Sequence, residues 1–223
     1  MSDGPTVIID ISVSLDGYVA GPNQSLDDPL GVRGEELHEW VIATAAWRES
    51  HGREGGTEGV DSDLIAARVE RTGVTVMGRN MFSAGRDGQG WEDDPRAEGW
   101  WGEDPPYHHP VFVLTHHERE PLEMKGGTTF IFVTAGIESA LEQARDAAGD
   151  KDVLIAGGAN VCNQYLGAGL VDEVHLHVAP ILLGGGARLL DDLGANPPGL
   201  EPISVAESPK ATHLAYRVKR QVR

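Results

Sequence analysis

The sequence predicts a single α/β domain built on one mixed, mostly parallel β-sheet. Two observations lead to this prediction: buried strands alternate with amphipathic helices from residue 110 onward, and the chain ends in two β-rich runs around Pro209. Helices that cross over between strands imply parallel pairing, whereas a terminal hairpin adds antiparallel strands at an edge. The 223 residues fit one large domain, residues 1–223, because no repeat or break in composition marks a second one.

The N-terminal half contains two predicted strands and two predicted helices. One β-rich run stops at the Asp16-Gly17 turn and another stops at Gly78, so both are interpreted as buried strands. Carboxylates and an apolar stripe at helical spacing indicate a helix that begins near Gly34, and Gly73 is predicted to end the next helix. The strands cover residues 7–13 and 74–77, the stripe comprises Leu37, Trp40, Val41 and Trp47, and the second helix covers 61–71 after a glycine-rich link at 51–59.

The C-terminal half alternates between strands and helices. In one predicted strand, Phe130 and Phe132 point to one face while Ile131 and Val133 point to the other, which is typical of a strand inside a covered sheet. The predicted strands cover 111–115, 128–134, 153–156 and 171–179, the helices cover 136–148 and 159–166, and the terminal hairpin covers 203–207 and 212–219.

The charge balance excludes several kinds of partner. With 18 Lys and Arg against 35 Asp and Glu the formal charge is −17, so the surface field repels nucleic acid.

No apolar run reaches the roughly 18 residues that span a bilayer, and the N-terminus has no signal-peptide pattern, so we expect a cytoplasmic protein without a membrane partner. The single cysteine, Cys162, forms no internal disulfide and is expected to be a buried helix residue.

Candidate ligand residues follow three of the predicted strands. Gly157-Gly158 precedes a helix, Gly78-Arg79 follows a second strand, and Thr115-His116 follows a third. In an open α/β sheet, ligands gather at the carboxyl ends of strands, where backbone N–H groups and helix starts are available. Each motif is weak by itself, since a Gly-Gly pair is often only a tight turn and an arginine is often only a surface cation.

No metal site is expected. The imidazoles of His116 and His117 lack a convincing third ligand. His175 and His177 share one face of their strand, where packing or a subunit contact is the simpler interpretation.

The order of several motifs resembles a known family. These motifs are Ser14 to Gly21, Met77-Gly78-Arg79, the Gly157-Gly158 helix start, and residues 171–180 before Leu183-Gly184. Together they resemble the dihydrofolate reductase-like superfamily, and within it the C-terminal reductase domain of the bacterial riboflavin-biosynthesis deaminase/reductase. The resemblance extends over residues 7–190, most of the chain.

The resemblance implies a three-layer α/β/α fold that binds NADPH across the strand ends and acts as a homodimer. Carried over to this chain, Gly157 and Gly158 form the pyrophosphate seat, and Arg79 lies near the adenosine 2′-phosphate, whose negative charge a cation there favours. The implied cofactor-binding residues are Ala20, Gly21, Gly78, Arg79, Asn80, Thr115, His116, Gly157, Gly158, Ala159, Asn160 and Val161.

The resemblance is less specific about the substrate. Riboflavin-pathway reductases follow the Asp-Gly pair with lysine, whereas this chain has Tyr18. Folate reductases use a carboxylate on their first helix, and Glu36 is its nearest equivalent, with Asp16 as the other candidate catalytic carboxylate. Each has a simpler explanation: Glu36 as a partner of the helix dipole and Asp16 as a turn residue.

Three of the five tryptophans, Trp91, Trp100 and Trp101, lie in the irregular stretch 85–109. Aromatic faces stack on flat heterocycles, so the tryptophan-rich insert within it, residues 91–109, is expected to wall a pocket, with a dimer contact as the alternative. Trp101 and Tyr18 are therefore the predicted substrate contacts.

The expected function is hydride transfer from NADPH to a pyrimidine- or pterin-like heterocycle. A narrower version is the reduction of 5-amino-6-(5-phosphoribosylamino)uracil in riboflavin biosynthesis. The alternatives are a dihydrofolate reductase-like enzyme on another small substrate, a non-catalytic NADPH-binding protein of the same fold, and an interaction module that uses the tryptophan insert. The last alternative predicts an open groove without a pocket beside Gly157.

Overall fold

The computed structural model describes residues 4–25, 27–83, 99, 102–191 and 193–219. The strands in this part of the chain are β1 (Val7–Ser14), β2 (Tyr18–Ala20), β3 (Thr72–Gly78), β4 (Pro110–Leu114), β5 (Leu122–Glu123), β6 (Thr129–Val133), β7 (Asp152–Gly157), β8 (Glu173–Ala179), β9 (Ala187–Arg188), β10 (Leu200–Glu207) and β11 (Thr212–Val218). The helices are α1 (Glu39–Ile42), α2 (Ala45–Ser50), α3 (Val60–Arg71), α4 (Arg79–Ser83), α5 (Ile137–Ala148) and α6 (Ala159–Gly167), with 3₁₀ helices at Gly34–His38 and Lys125–Gly127.

Nine of these strands form one sheet in the order β10-β11-β8-β1-β7-β3-β4-β6-β5. The six strands from β8 to β6 pair in parallel, whereas β11 and β10 add an antiparallel hairpin at one edge and β5 adds an antiparallel strand at the other. The mixed, mostly parallel sheet and the C-terminal hairpin are therefore confirmed. Strands β2 and β9 form a separate antiparallel ribbon that the apolar patterning of the sequence does not predict.

Helices cover both faces of the sheet and complete the three-layer α/β/α fold. On one face, α5 and α6 pack on Val7, Ile9, Val74 and Val76, which are all at most 1% exposed. On the other face, Trp40 of α1 and Ile65 of α3 form a second buried cluster. Side chains alternate along each strand, so β1 supplies odd-numbered residues to the first layer and even-numbered ones to the second.

Several individual expectations about the core are confirmed. Phe130 and Phe132 pack in one cluster, while Ile131 and Val133 contribute to the main core on the opposite face of β6. Cys162 lies buried in α6, where burial raises the pKa of its thiol to about 12, so the thiol is inert at neutral pH.

The prediction of a single helix that begins near Gly34 is wrong, because the segment folds as a 3₁₀ helix followed by α1 and α2. Thr44 interrupts it with an extended backbone (ψ 152°), and its hydroxyl caps α2 by accepting a hydrogen bond from the N–H of Trp47. The apolar stripe still packs into the interior, because Leu37 and Trp40 are 0% and 1% exposed. A threonine side chain that bonds the local backbone competes with helix continuation, which the apolar spacing does not reveal.

The expected role of Gly73 as a helix stop is also wrong. Helix α3 ends at Arg71, and Gly73 already belongs to β3. A Cβ at this position would lie 2.8 Å from the carbonyl oxygen of Ala148, so the glycine permits close packing of β3 against the end of α5.

A buried charge network occupies the layer between the sheet and α3. The Asp10 carboxylate lies 3.1 Å from Arg68 Nη1 and 3.1 Å from His177 Nε2. Burial alone would raise the pKa of Asp10, but the charges of His177 and Arg68 hold it well below its usual range. His177 also contacts His213 (2.7 Å between the Nδ1 atoms), whose other nitrogen lies 2.7 Å from Asp61.

This network explains the paired histidines of β8. His175 lies 3.7 Å from Asp10 and 3.0 Å from Glu173, and the ring of Trp40 packs 4.4 Å from that of His177. The expectation of a packing role is confirmed, and the residues described here contain no cluster of three or more His, Cys, Asp or Glu suited to a metal. Within the same residues, no helix combines the length and apolarity required to cross a bilayer.

The network predicts a large stability effect for Asp10→Asn. Removing the carboxylate leaves the half-buried Arg68 without its counter-charge and the buried His177 without its carboxylate partner, so the free energy of unfolding should fall by about 3 kcal/mol at pH 7, measured by urea denaturation. Because folding lowers the pKa of Asp10, its contribution is full above the unfolded value near 4 and is lost as the pH falls further, so the difference should shrink there. Asp146→Asn, on an exposed face of α5, is the matched control and should change stability by less than about 0.5 kcal/mol. Equal effects of the two substitutions would contradict the network's role.

Candidate functional site

A cleft of about 1070 Å³ lies at the carboxyl ends of four adjacent parallel strands. Ser12 of β1, Gly78 of β3, Leu114 of β4 and Ala156 of β7 all line it. The register of the four strands explains why they share this cleft. Neighbouring parallel strands run in the same direction with their residues side by side, so their carboxyl ends lie at the same edge of the sheet. A pocket is therefore present beside Gly157, which contradicts the interaction-module alternative.

The start of α6 forms one wall of the cleft. Gly158, Ala159, Asn160 and Val161 all line it. The first N–H groups of a helix have no partner within the helix and carry the positive end of its dipole, so this wall suits an anion. A Cβ added at Gly158 would meet nothing within 4 Å, so the glycine leaves open space against the backbone.

Gly157 does not line the cleft, but its backbone shapes the wall beside it. Its φ of +129° is a conformation that residues with a side chain rarely adopt, so glycine is required at this position. The peptide bond that joins Gly157 to Gly158 is cis, a feature that the sequence analysis did not anticipate.

The end of β3 contributes the second group of cofactor candidates. Gly78, Arg79 and Asn80 line the cleft together. A Cβ at Gly78 would lie 2.9 Å from Cγ2 of Val161, so this glycine lets β3 approach α6 closely in addition to bordering the cleft. Arg79 is the first residue of α4 and lines the cleft at the end of β3.

The end of β4 contributes the third group. Thr115 is 8% exposed, and its hydroxyl accepts a hydrogen bond from the N–H of His117 at 3.1 Å. His116 is exposed, and both histidines line the cleft with Thr115. The side chain of Thr115 thus holds the turn that presents the two imidazoles.

The loop after β1 contributes to the cleft beside the strand ends. Ala20 lines the cleft, whereas Gly21 does not, and a Cβ at Gly21 would lie 2.0 Å from the carbonyl oxygen of Val32. Gly21 therefore allows two parts of this loop to cross, which is a structural reason for glycine there. All the cofactor candidates except Gly21 and Gly157 line the cleft.

Tyr18 is not part of the cleft lining. Its ring lies 5.4 Å from the guanidinium of Arg188, and its hydroxyl is 3.5 Å from Arg188 Nη1. Arg188 itself lines the cleft and forms an ion pair with Asp191 at 3.4 Å. Tyr18, the predicted substrate contact, is therefore separated from the cleft by Arg188, a residue that the sequence motifs do not indicate.

Asp16 lies in the turn after β1 and does not line the cleft. Its carboxylate accepts hydrogen bonds from Ser14 Oγ at 2.6 Å and from the N–H groups of Leu183 and Gly184 at 3.1 and 2.7 Å. The bond from Ser14 contributes most to lowering the pKa of Asp16 to about 2. An acid this strong is ionised at neutral pH, so Asp16 here ties two loops together and is not poised to donate a proton.

Glu36 does not line the cleft either. Arg33 donates two hydrogen bonds to its carboxylate, at 2.7 and 2.9 Å. These bonds lower the pKa of Glu36 below its ordinary value. The structure therefore brings together the cofactor candidates but neither carboxylate candidate.

The wall opposite α6 comes from the segment that contains the 3₁₀ helix, α1 and α2. The residues that line the cleft from this segment are His38, Val41, Ile42, Trp47 and His51. The rings of Trp47 and His51 stack 3.9 Å apart, and His51 Nδ1 lies 2.7 Å from the Trp47 carbonyl oxygen. This wall is aromatic and aliphatic, which suits a flat, largely apolar ligand.

His38 is the candidate that sequence reasoning missed in this wall. The available signal was its place between Leu37 and Trp40, two residues of the apolar stripe, but a histidine there is also consistent with an ordinary core position. Trp101 lies outside the described residues, as does most of the stretch 91–109. Asp104 and Pro106, from its described part, line the cleft.

Comparisons with known proteins agree with this geometry. A family model described as the RibD C-terminal domain matches residues 5–214. Among curated proteins, the uncharacterized protein YyaP of Bacillus subtilis (strain 168) is 22% identical over 198 residues, which cover 84% of this chain and 81% of YyaP.

Solved structures share the fold at low sequence identity. A protein of Shewanella sp. PV-4 named for riboflavin biosynthesis matches with a TM-score of 0.62 and 24% identity, over 96% of this chain and 99% of that one. The diaminohydroxyphosphoribosylaminopyrimidine deaminase/5-amino-6-(5-phosphoribosylamino)uracil reductase of Thermotoga maritima matches with a TM-score of 0.56 and 18% identity, over 97% of this chain and 57% of that one. The family match spans nearly all of the sequence, and so this chain belongs to the RibD C-terminal domain family.

Proposed function

We propose that this protein is an NADPH-dependent oxidoreductase that reduces a pyrimidine- or pterin-like heterocycle. The observation that carries the proposal is the cleft at the strand ends, with backbone and basic groups on one wall and aromatic groups on the other. Membership in the RibD C-terminal domain family supports it, and the name of the Thermotoga maritima relative describes a uracil-derivative reductase. In this proposal NADPH supplies the hydride, and the protein binds and orients both molecules.

The α6 wall fits a dinucleotide phosphate. Gly158 leaves room for a close approach to the backbone, and the start of α6 directs N–H groups toward that space. Arg79 and His116 place basic side chains at the neighbouring strand ends. A guanidinium offers several donors in one plane, so Arg79 is the proposed contact for the 2′-phosphate that distinguishes NADPH from NADH.

The opposite wall would hold the heterocycle. Val41, Ile42 and Trp47 offer apolar and aromatic surface that excludes water from a bound ring. A dry site strengthens the hydrogen bonds that orient the ligand, and correct orientation lowers the barrier to reaction. Two walls with such different chemistry divide the cleft into a phosphate half and a ring half.

A narrower proposal is reduction of 5-amino-6-(5-phosphoribosylamino)uracil. Tyr18 replaces the lysine of the family pattern, and Arg188 beside it is the cation available near the same loop. The family resemblance extends this proposal to a homodimer.

A second candidate function is NADPH binding without turnover. The observation that favours it is the placement of Asp16 and Glu36, which are ionised at neutral pH and do not line the cleft. A reductase must deliver a proton along with the hydride. The non-catalytic candidate therefore holds if no other group supplies that proton.

An activity assay separates these proposals. Purified protein should oxidise NADPH, followed at 340 nm, in the presence of 5-amino-6-(5-phosphoribosylamino)uracil or 7,8-dihydrofolate, and should do so more slowly with NADH. Tight NADPH binding without oxidation with either compound would favour the non-catalytic candidate, whereas no NADPH binding would refute both. Failure to rescue a reductase-deficient riboflavin auxotroph would refute the narrower proposal alone.

Arg79→Ala should weaken NADPH binding selectively. Loss of one charge-assisted phosphate contact is expected to raise the Kd for NADPH about tenfold while changing the Kd for NADH less than about twofold, measured by calorimetry. Arg145→Ala, on an exposed face of α5, is the control and should change neither value. Equal weakening of both cofactors by Arg79→Ala would contradict the assignment to the 2′-phosphate.

Gly158→Val should block the phosphate seat without unfolding the protein. Its side chain would enter open space, so the melting temperature should stay within about 2 °C of wild type while NADPH affinity falls at least about tenfold. Gly185→Val places the same group in similarly open space that does not line the cleft, and should bind NADPH normally. Normal NADPH affinity in Gly158→Val would place the pyrophosphate elsewhere.

A further inference from the structure

His38 stands at a rigid point of the ring half of the cleft. It is the last residue of the 3₁₀ helix, between Leu37, which is 0% exposed, and Trp40, which is 1% exposed. The indole Nε1 of Trp40 donates a hydrogen bond to Ser12 Oγ at 3.0 Å. The backbone that carries His38 is therefore anchored on both sides, which limits the positions that its ring can take.

The His38 ring forms no side-chain hydrogen bond within the described part of the chain, and its local polar contact is with the Gly34 backbone. Nδ1 is sealed from solvent and has no hydrogen-bond partner there. Buried polar side-chain atoms usually have a partner, so an unmet one calls for a specific explanation. Because Nδ1 is sealed while the side chain lines the cleft, Nε2 is the nitrogen through which His38 can reach a ligand.

The surroundings keep this imidazole neutral. Burial lowers the pKa of His38 to about 4, and the positive charge of Arg68 lowers it further, against a smaller opposing effect from the Gly34 backbone. Arg68 remains charged because it pairs with Asp10 at 3.1 Å. A neutral imidazole has one N–H donor and one acceptor nitrogen, which matches the uncharged amide-like edge of a pyrimidine or pterin.

The other groups near this wall are already engaged. His51 Nδ1 lies 2.7 Å from the Trp47 carbonyl oxygen, and its ring stacks on that of Trp47. Asp16 is bound to Ser14 and to two backbone N–H groups, and Glu36 is paired with Arg33. His38 thus lines the ring half with a nitrogen, Nε2, that forms no hydrogen bond with another side chain of the described residues.

We propose that His38 is a substrate-binding residue: its Nε2 forms a hydrogen bond with the polar edge of the heterocycle and orients the ring for hydride transfer. This inference rests on the proposed reductase function. It assigns the orienting contact to a histidine, two residues along the chain from the glutamate that the family resemblance indicated.

Three substitutions of His38 test the inference against whichever of 5-amino-6-(5-phosphoribosylamino)uracil and 7,8-dihydrofolate the wild-type protein reduces. His38→Phe keeps a ring but removes both nitrogens, so kcat/KM should fall at least about tenfold, with the NADPH Kd and the melting temperature unchanged. The amide nitrogen of glutamine can replace Nε2, whereas that of asparagine can replace only Nδ1. His38→Gln should therefore recover more activity than His38→Asn.

His108→Phe is the matched control, because it removes an exposed imidazole that does not line the cleft. It should change kcat/KM less than about threefold. Wild-type activity in His38→Phe, or no advantage of glutamine over asparagine, would overturn the inference and leave the reductase proposal intact. Parallel loss of NADPH affinity or of melting temperature in all three His38 variants would also overturn it, by assigning a structural role. If the wild-type protein reduces neither compound, the reductase function itself fails and this inference with it.

Discussion

The cleft depends on one constraint, the parallel pairing of β1, β7, β3 and β4. Ile9, Ile155, Val76 and Phe112 lie side by side across these four strands. Because the strands run in the same direction and in register, every one of them ends at the same edge of the sheet. Strands with antiparallel neighbours would alternate their ends between two edges, and the glycine and polar residues that follow them would never meet.

The second layer supports the cleft from behind. The carboxylate of Asp10 is neutralised within the fold by Arg68 and His177, and the ring of Trp40 packs against His177. The same tryptophan donates a hydrogen bond to Ser12, which lines the cleft. Trp40 therefore connects a buried charge network to the wall that carries His38. A substitution in this network would disturb the ring half of the cleft even though Asp10 does not line it.

Local groups decide how an acidic protein can hold a phosphate ligand. The chain carries a formal charge of −17, yet the α6 wall relies on backbone N–H groups and on basic side chains such as Arg79. Of the two carboxylates considered for catalysis, Glu36 is neutralised by its ion pair with Arg33, whereas Asp16 keeps its charge and is held by hydrogen bonds with two loops. A neutralised carboxylate contributes little long-range repulsion, so net charge excludes polyanions more strongly than it excludes one small phosphate ligand.

The sequence by itself determined the sheet, its hairpin and the glycines that line the cleft after the strands. These features depend on short-range signals: alternation of apolar residues, and glycines placed directly after strands such as Gly78 and Gly158. The ring half could not be derived in this way. Whether Glu36 or His38 faces the cleft depends on where Thr44 interrupts the helix and how Trp40 docks on Ser12 and His177. Those contacts join residues far apart in sequence, and a rotation of roughly half a turn about the helix axis would exchange one side chain for the other. Only tertiary packing decided that orientation, because the local pattern is equally compatible with both.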